Sequence, residues 1–151
     1  MQSEGVMITQ TIEKTQLDSA EVYKLIKDEK LTSIIISCQI LAGSSVQRST
    51  YRHVVFSDCT FYSCNFQGVT FDNCIFENCN FKFSHLSNCK FNNCNFTDCE
   101  WMASSSTISV YDGSDLDSSL LEMIHFGVGN VVKNQNLRDH TTDIYIQLRA
   151  A

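Results

Sequence analysis

A strict five-residue period between Arg52 and Trp101 constrains this chain more than any other feature. The third place of each five is large and apolar ten times in succession: Phe56, Phe61, Phe66, Phe71, Phe76, Phe81, Leu86, Phe91, Phe96 and Trp101. The first place is mostly cysteine: Val54, Cys59, Cys64, Val69, Cys74, Cys79, Ser84, Cys89, Cys94 and Cys99. A period of five fits neither a helix nor a continuous strand. It indicates a short extended segment followed by a turn.

The fifth place supports the turn. It holds residue types that tolerate tight-turn backbone conformations: Asp58, Ser63, Gly68, Asn73, Asn78, Asn88, Asn93 and Asp98. Phe83 is the exception. The first and third places therefore point inward, as on one strand face, and the following residues turn the corner.

These repeats resemble the pentapeptide-repeat family in its cysteine- and phenylalanine-rich form. The resemblance implies an all-β solenoid, a right-handed quadrilateral β-helix with four repeats in each coil of 20 residues. Position n then stacks on position n+20, about 4.8 Å away. The expected core ladders are Phe56–Phe76–Phe96, Phe61–Phe81–Trp101, Phe66–Leu86 and Phe71–Phe91.

The repeats begin before Arg52 in a degenerate coil. Ile36, Leu41, Val46 and Tyr51 keep the phase of Phe56, whereas Gln39, Ser44 and Ser49 fit the first place poorly. We therefore predict a β-helix over residues 34–102, with about three and a half coils. Residues 1–33 are expected to form an N-terminal cap, and residues 103–151 a C-terminal cap.

The N-terminal cap is predicted to contain a strand and a helix. Val6, Ile8 and Ile12 suggest the strand. Asp18 and Glu21 have the spacing of a capping box, which places a helix over the apolar residues that follow, Val22, Leu25 and Ile26.

The C-terminal cap is predicted to contain a helix and a final strand. Ser114 or Asp115 begins a helix that carries Leu116, Leu120, Leu121 and Ile124 and ends at Gly127 or Gly129. The alternation in Asp143–Leu148 predicts the strand, and the serine-rich segment Ala103–Ser109 is expected to be a loop.

Seven of the eight cysteines fall in the first place of a repeat, and Cys38 is out of phase. A zinc site needs four converging ligands, usually supplied as close pairs, and the chain has no CxxC motif. We therefore predict that the seven thiols are reduced, buried and metal-free, with metal binding and disulfide formation as the rival interpretations.

No catalytic constellation accompanies these thiols. A cysteine nucleophile needs an exposed thiolate beside a base, but His85 is in an outward place and the repeat cysteines point inward. His53, His125 and His140 lie outside any recognisable motif, and no phosphate-binding loop is present. We expect no enzyme activity and no cofactor.

Charge and hydropathy limit the classes of partner that we expect the chain to bind. The net charge is −6, and its share is −1 over residues 1–51, −2 over 52–101 and −3 over 102–151. No segment is basic, which argues against direct nucleic-acid binding. No apolar run reaches 18 residues and the N-terminus does not resemble a signal peptide, so we expect a cytoplasmic protein without membrane contact. Secretion as an effector is left open.

The outward places leave two candidate surfaces. One wall carries Tyr62, Phe83 and Met102, which either lie under a flank or contact a protein partner, including a second copy in a homodimer. We therefore expect a protein–protein interaction scaffold. The family resemblance implies an alternative, because some acidic members mimic duplex DNA and bind or protect type II topoisomerases such as gyrase. That role would depend on Asp58, Glu77 and Asp98.

Overall fold

The computed structural model describes residues 10–13 and 20–134. Short parallel strands, numbered along the chain, form four sheets that are the walls of a β-helix. Sheet A contains β1 (Gln10–Glu13), β5 (Ile34–Ser37), β9 (Val55–Ser57), β13 (Ile75–Glu77) and β17 (Asn95–Thr97). Sheet B contains β2 (Ala20–Val22), β6 (Ile40–Ala42), β10 (Thr60–Tyr62), β14 (Asn80–Lys82) and β18 (Glu100–Met102).

The other two walls complete each coil. Sheet C contains β3 (Leu25–Lys27), β7 (Ser45–Gln47), β11 (Asn65–Gln67), β15 (His85–Ser87) and β19 (Ser105–Thr107). Sheet D contains β4 (Lys30–Thr32), β8 (Thr50–Arg52), β12 (Thr70–Asp72), β16 (Lys90–Asn92), β20 (Val110–Asp112) and β21 (Val131–Lys133). The strands from β2 to β20 therefore build about five coils.

The predicted stacking of position n on position n+20 is confirmed. Phe76 pairs in register with Phe56 on one side and Phe96 on the other. The rings of Phe56 and Phe76 are 4.8 Å apart and within 9° of parallel, and the rings of Phe81 and Trp101 are 4.1 Å apart. The aromatic ladders run along the axis of the β-helix.

The β-helix is longer than the sequence analysis predicted, since its strands run from Ala20 to Asp112. The predicted N-terminal helix is wrong, because its residues form β2 and β3 and pair with β6 and β7. Ile26 packs against the core from the third place of a repeat. The predicted loop Ala103–Ser109 is also wrong, because Ser105–Thr107 is strand β19, paired with β15.

Serine takes the first place at five positions next to the cysteine repeats: Ser44, Ser49, Ser104, Ser109 and Ser114. Ser44 and Ser49 are buried there, so the prediction that they fit poorly is wrong. The Ser44 hydroxyl donates to the carbonyl of Ala42 at 2.9 Å and accepts from the backbone N–H of Lys24 at 2.9 Å. A serine that is satisfied in this way is buried without an unpaired polar group.

The predicted C-terminal helix is confirmed as α1 (Ser118–Phe126), with Asp117 rather than Ser114 or Asp115 as its N-cap. It packs against β18 and β19 at the end of the solenoid. Leu116 lies before the helix and is buried. Of the predicted strands, Ile12 lies in β1, while Val6, Ile8 and Asp143–Leu148 fall outside the described residues. Among the helices of the described part, none is long and apolar enough to cross a membrane.

Candidate protein-interaction surface

The corners of the β-helix share one backbone conformation. Every fifth-place residue from Tyr23 to Gly113 has a φ between 46° and 66°. Glycine, asparagine and aspartate adopt this left-handed region with little strain, whereas bulky and β-branched residues are strained there. Tyr23, Phe83 and Ile108 are therefore the corners with the least suitable side chains.

Phe83 lies on the corner that follows sheet B, with Tyr62 and Met102 beside it. The rings of Tyr62 and Phe83 meet edge to face, with centroids 5.5 Å apart. The backbone N–H of Phe83 donates to the carbonyl of Met102 at 2.9 Å. The side chains remain exposed, at 46% for Tyr62 and 53% for both Phe83 and Met102. The three residues thus form one accessible apolar patch.

The patch extends toward the N-terminus through residues that the sequence analysis assigned to a helix. Val22 and Tyr23 lie on the same wall and are exposed. The Tyr23 ring covers Gly43, since a Cβ on Gly43 would lie 2.9 Å from Tyr23 Cε1. We call Val22, Tyr23, Tyr62, Phe83 and Met102 the aromatic strip. The period itself could have revealed Tyr23, which lies three coils before Phe83.

A groove between β18 and α1 continues the aromatic strip toward the C-terminus. It has a volume of about 540 Å³. Its apolar lining includes Trp101, Met102 and Phe126, and Glu100 and Glu122 line it as well. Phe126 is 78% exposed. The groove is a feature of tertiary packing, and no local sequence pattern marked it.

The predicted acidic residues lie along the border between sheets A and B. Asp58 and Asp98 occupy the corners that lead into β10 and β18, and both are exposed. Asn78 stands between them in the corner column and donates a side-chain hydrogen bond to Asp58. Glu77 is exposed in β13, flanked in register by Ser57 and Thr97. The three carboxylates are therefore neighbours, but they do not stack on one another.

The repeat cysteines face the interior, as predicted. All seven are buried, and Cys38 is exposed on a corner. Their thiols donate to backbone carbonyls; Cys89 Sγ, for example, lies 3.5 Å from the carbonyl oxygen of Phe66. Burial raises the pKa of Cys64, and raises that of Cys89 to about 11. The raised pKa keeps the thiols of Cys64 and Cys89 protonated at neutral pH, so these two are poor nucleophiles and poor metal ligands.

The three histidines of the described residues do not join the cysteines in a site. His85 lies on sheet C, where its Nδ1 is 2.6 Å from Ser105 Oγ. His53 is a corner residue, His125 lies in the last turn of α1, and His140 lies outside the described residues. Within residues 10–13 and 20–134, no three His, Cys, Asp or Glu side chains are grouped so as to hold a metal ion.

Four parallel sheets around an aromatic axis place the chain among the parallel β-solenoids, with a left-handed corner after every strand of its coils. Residues 47–100 match the family model for pentapeptide repeats, with 9 copies. The chain thus contains a run of pentapeptide repeats, and its described coils form a quadrilateral β-helix. No curated protein matches it.

Two solved structures of trypsin-treated QnrB1, described as a plasmid-mediated fluoroquinolone resistance protein, are similar to the chain. The first is 9% identical, covers 95% of this chain and 96% of that chain, and has a TM-score of 0.24. The second is 10% identical, covers 87% and 98%, and also has a TM-score of 0.24. Likeness at this level says nothing about the function of this chain.

Proposed function

We propose that this chain is a non-catalytic scaffold that binds another protein through the aromatic strip. The observation that carries the proposal is Phe83, a bulky apolar side chain that is 53% exposed on a left-handed corner. Left-handed backbone costs an ordinary residue about 1–2 kcal/mol. Because Phe83 is about half exposed, it also forgoes part of the roughly 1.5–3 kcal/mol that full burial contributes.

A protein-binding role explains why the chain keeps Phe83 despite its unfavourable backbone conformation and its incomplete burial. Asparagine occupies the corners at Asn73, Asn78, Asn88 and Asn93 without either of them. Burial of Phe83 and Tyr62 against a partner recovers the hydrophobic term, and aromatic residues and methionine are enriched at the centres of protein interfaces. Tyr62, Phe83 and Met102 lie on an outer wall of the solenoid, where a partner can reach them.

Site-specific cross-linking tests the proposal. A photoreactive amino acid at Ser63, on the same corner column as Phe83, is expected to give a discrete protein adduct in cells that produce the chain. The matched control position is Asn93, an exposed corner residue after sheet D. Phe83→Asp is expected to abolish the adduct, and Asn88→Asp, one corner further on, to leave it intact. Equal products at Ser63 and Asn93, or no product at Ser63, would refute the proposal.

The mass of the adduct and light scattering identify self-association. If the partner is a second copy, the adduct has twice the mass of the chain, and wild-type protein shows a concentration-dependent dimer that Phe83→Asp converts to monomer. An adduct of any other mass assigns the aromatic strip to a different protein.

The DNA-mimic hypothesis depends on charge density. Duplex DNA carries about one charge per 1.7 Å of axis, or roughly six over the two coil steps from Asp58 to Asp98. Over that distance, the border between sheets A and B carries three carboxylates, those of Asp58, Glu77 and Asp98. This density favours the scaffold over the mimic. Gyrase supercoiling assays decide directly, since no effect at high protein excess removes the mimic hypothesis.

A further inference from the structure

We infer that the outer face of sheet B binds a basic amphipathic helix, which lies parallel to the axis of the solenoid. The inference rests on the proposed function and names the chemistry of the partner. It comes from the juxtaposition of the two candidate surfaces, which are the two edges of a single wall.

One edge of this wall is mainly apolar, with Lys82 in register between Tyr62 and Met102, and the other edge is acidic. Tyr62 and Phe83 lie at the edge of the wall where its strands end, in the fourth and fifth places of their repeats. Asp58 and Asp98 lie at its beginning, on the preceding corner, and the exposed Glu100 follows Asp98 in β18. Tyr62 is four residue steps after Asp58 in extended chain, so the edges are at most about 13 Å apart. This is close to the diameter of a helix with its side chains, about 10–12 Å.

The spacing along the solenoid suits a helix better than a strand. Coils are about 4.8 Å apart, and residues on one face of a strand repeat every 6.6 Å or so. A helix repeats every 5.4 Å, so each of its turns meets one coil with a drift of about 0.6 Å per coil. From Val22 to Met102 the aromatic strip covers four coil steps, about 19 Å, which matches roughly 13 helical residues.

The charges around sheet B predict the sign of the charge on the polar flank of the partner helix. In the described strands of sheet B, Lys82 is the one cation and Glu100 is an exposed anion. Glu122, from α1, adds a carboxylate where the groove meets Met102 and Phe126. A helix with Leu on one face and Lys or Arg on the flank toward Asp58 and Asp98 places opposite charges together. An acidic flank there would be repelled.

Two synthetic helices test this inference. Both are about 18 residues long and carry the same Leu face; one has Lys on its polar flank and the other has Glu. Fluorescence anisotropy with the full chain is expected to show binding of the Lys helix, weakened by salt, and at least about tenfold weaker binding of the Glu helix. Equal binding of the two helices, or no binding of the Lys helix, overturns the inference.

Charge-neutral variants locate the contact. The double variant Asp58→Asn with Asp98→Asn preserves the left-handed corners, since Asn is well tolerated there. It is expected to weaken binding of the Lys helix about fivefold. The control, Asp72→Asn with Asp112→Asn, makes the same charge change on sheet D and is expected to have no effect. Equal losses in the two variants indicate nonspecific attraction and overturn the inference.

The inference and the proposed function fail separately. If Phe83→Asp abolishes binding of both helices while the sheet B acidic variant changes nothing, the basic-helix assignment is wrong and the aromatic strip remains a protein-binding surface. If the Ser63 cross-link fails, the proposed function falls, whichever helix binds.

Discussion

The first place of each repeat accepts a thiol or a hydroxyl because both are small side chains that reach the same backbone groups. Cys89 Sγ donates to the carbonyl of Phe66, and Ser84 Oγ donates to the carbonyl of Phe61 at 2.9 Å. Ser84 Oγ also accepts from the backbone N–H of Cys64 at 3.1 Å. The shared environment explains why cysteines of the repeat and serines of the flanking coils belong to one core.

Thiol reactivity distinguishes this packing role from redox or metal roles. Cys38 is exposed and the other seven cysteines are buried. A colourimetric thiol titration is expected to find one fast thiol in the folded protein and eight after denaturation. Cys38→Ser should remove the fast phase. Two or more fast thiols in the folded wild type would contradict the buried assignment.

Alkaline pH is expected to destabilise the protein. The thiol of Cys89 has a pKa of about 11 when folded, raised by burial, and burial also raises the pKa of Tyr51 and Tyr111. The unfolded chain therefore loses these protons first, so stability is retained below about pH 8.5 and falls as pH rises toward 11. Cys89 alone contributes about 2–3 kcal/mol to this loss. Denaturant titrations between pH 7 and 11 measure it, and Cys89→Ser should reduce it; a flat profile would contradict the account.

At the scale of elements, the aromatic ladders hold successive coils together. Phe76 stacks between Phe56 at 4.8 Å and Phe96 at 5.0 Å and is almost fully buried. Phe76→Ala removes the middle of the ladder, so we expect a loss of about 3–5 kcal/mol in the free energy of unfolding. Phe126→Ala, at an exposed position, is the control and should be nearly neutral. Similar losses in the two variants would contradict the inward assignment.

Asn130 links α1 to the last full coil. Its buried side chain donates to the carbonyls of Ser106 and Ile124, each at 2.9 Å, and accepts from the Ser109 N–H at 3.0 Å. Asn130→Ala leaves these buried groups unpaired, so we expect a loss of about 2–4 kcal/mol. Chemical denaturation measures it, with Asn65→Ala, at an exposed strand position, as control. A loss below about 1 kcal/mol would mean that α1 is held by its apolar face alone.

Elements that follow from a local sequence pattern could be predicted, whereas elements that depend on pairing with distant residues could not. The ladders from Phe56 to Trp101 follow from the period, and α1 follows from its apolar spacing. The coils at β2–β4 and β19 were missed because Val22, Leu25 and Ile26 also fit a helix, and because Lys24, Glu29 and Ser106 weaken the repeat. Their strand state depends on pairing with residues 20 positions away, which a local pattern does not show.

The same limit applies to the candidate surface. Stacking by 20 residues predicts that Tyr62, Phe83 and Met102 are neighbours. It does not predict the groove beside Trp101, because that groove depends on how α1 packs at the end of the solenoid. Nor did it reveal Tyr23 while β2 was assigned to a helix.

At the scale of the whole molecule, the solenoid separates stability from recognition. Its interior changes from aliphatic side chains at Ile26 and Leu31 to stacked rings further along, and each coil contacts mainly its neighbours. The walls are therefore free to vary without loss of the core. Sheet B is the wall where an apolar edge, an acidic edge and the groove at α1 meet.

The central claim is that the aromatic strip serves binding and not folding, and Phe83→Asn tests it most directly. Asparagine suits the left-handed corner, so we predict that denaturant unfolding shows equal or slightly greater stability, by up to about 1 kcal/mol. The Ser63 cross-link should be lost in the same variant. A loss of more than about 1 kcal/mol in stability, with the cross-link intact, would instead show that Phe83 packs within its own chain.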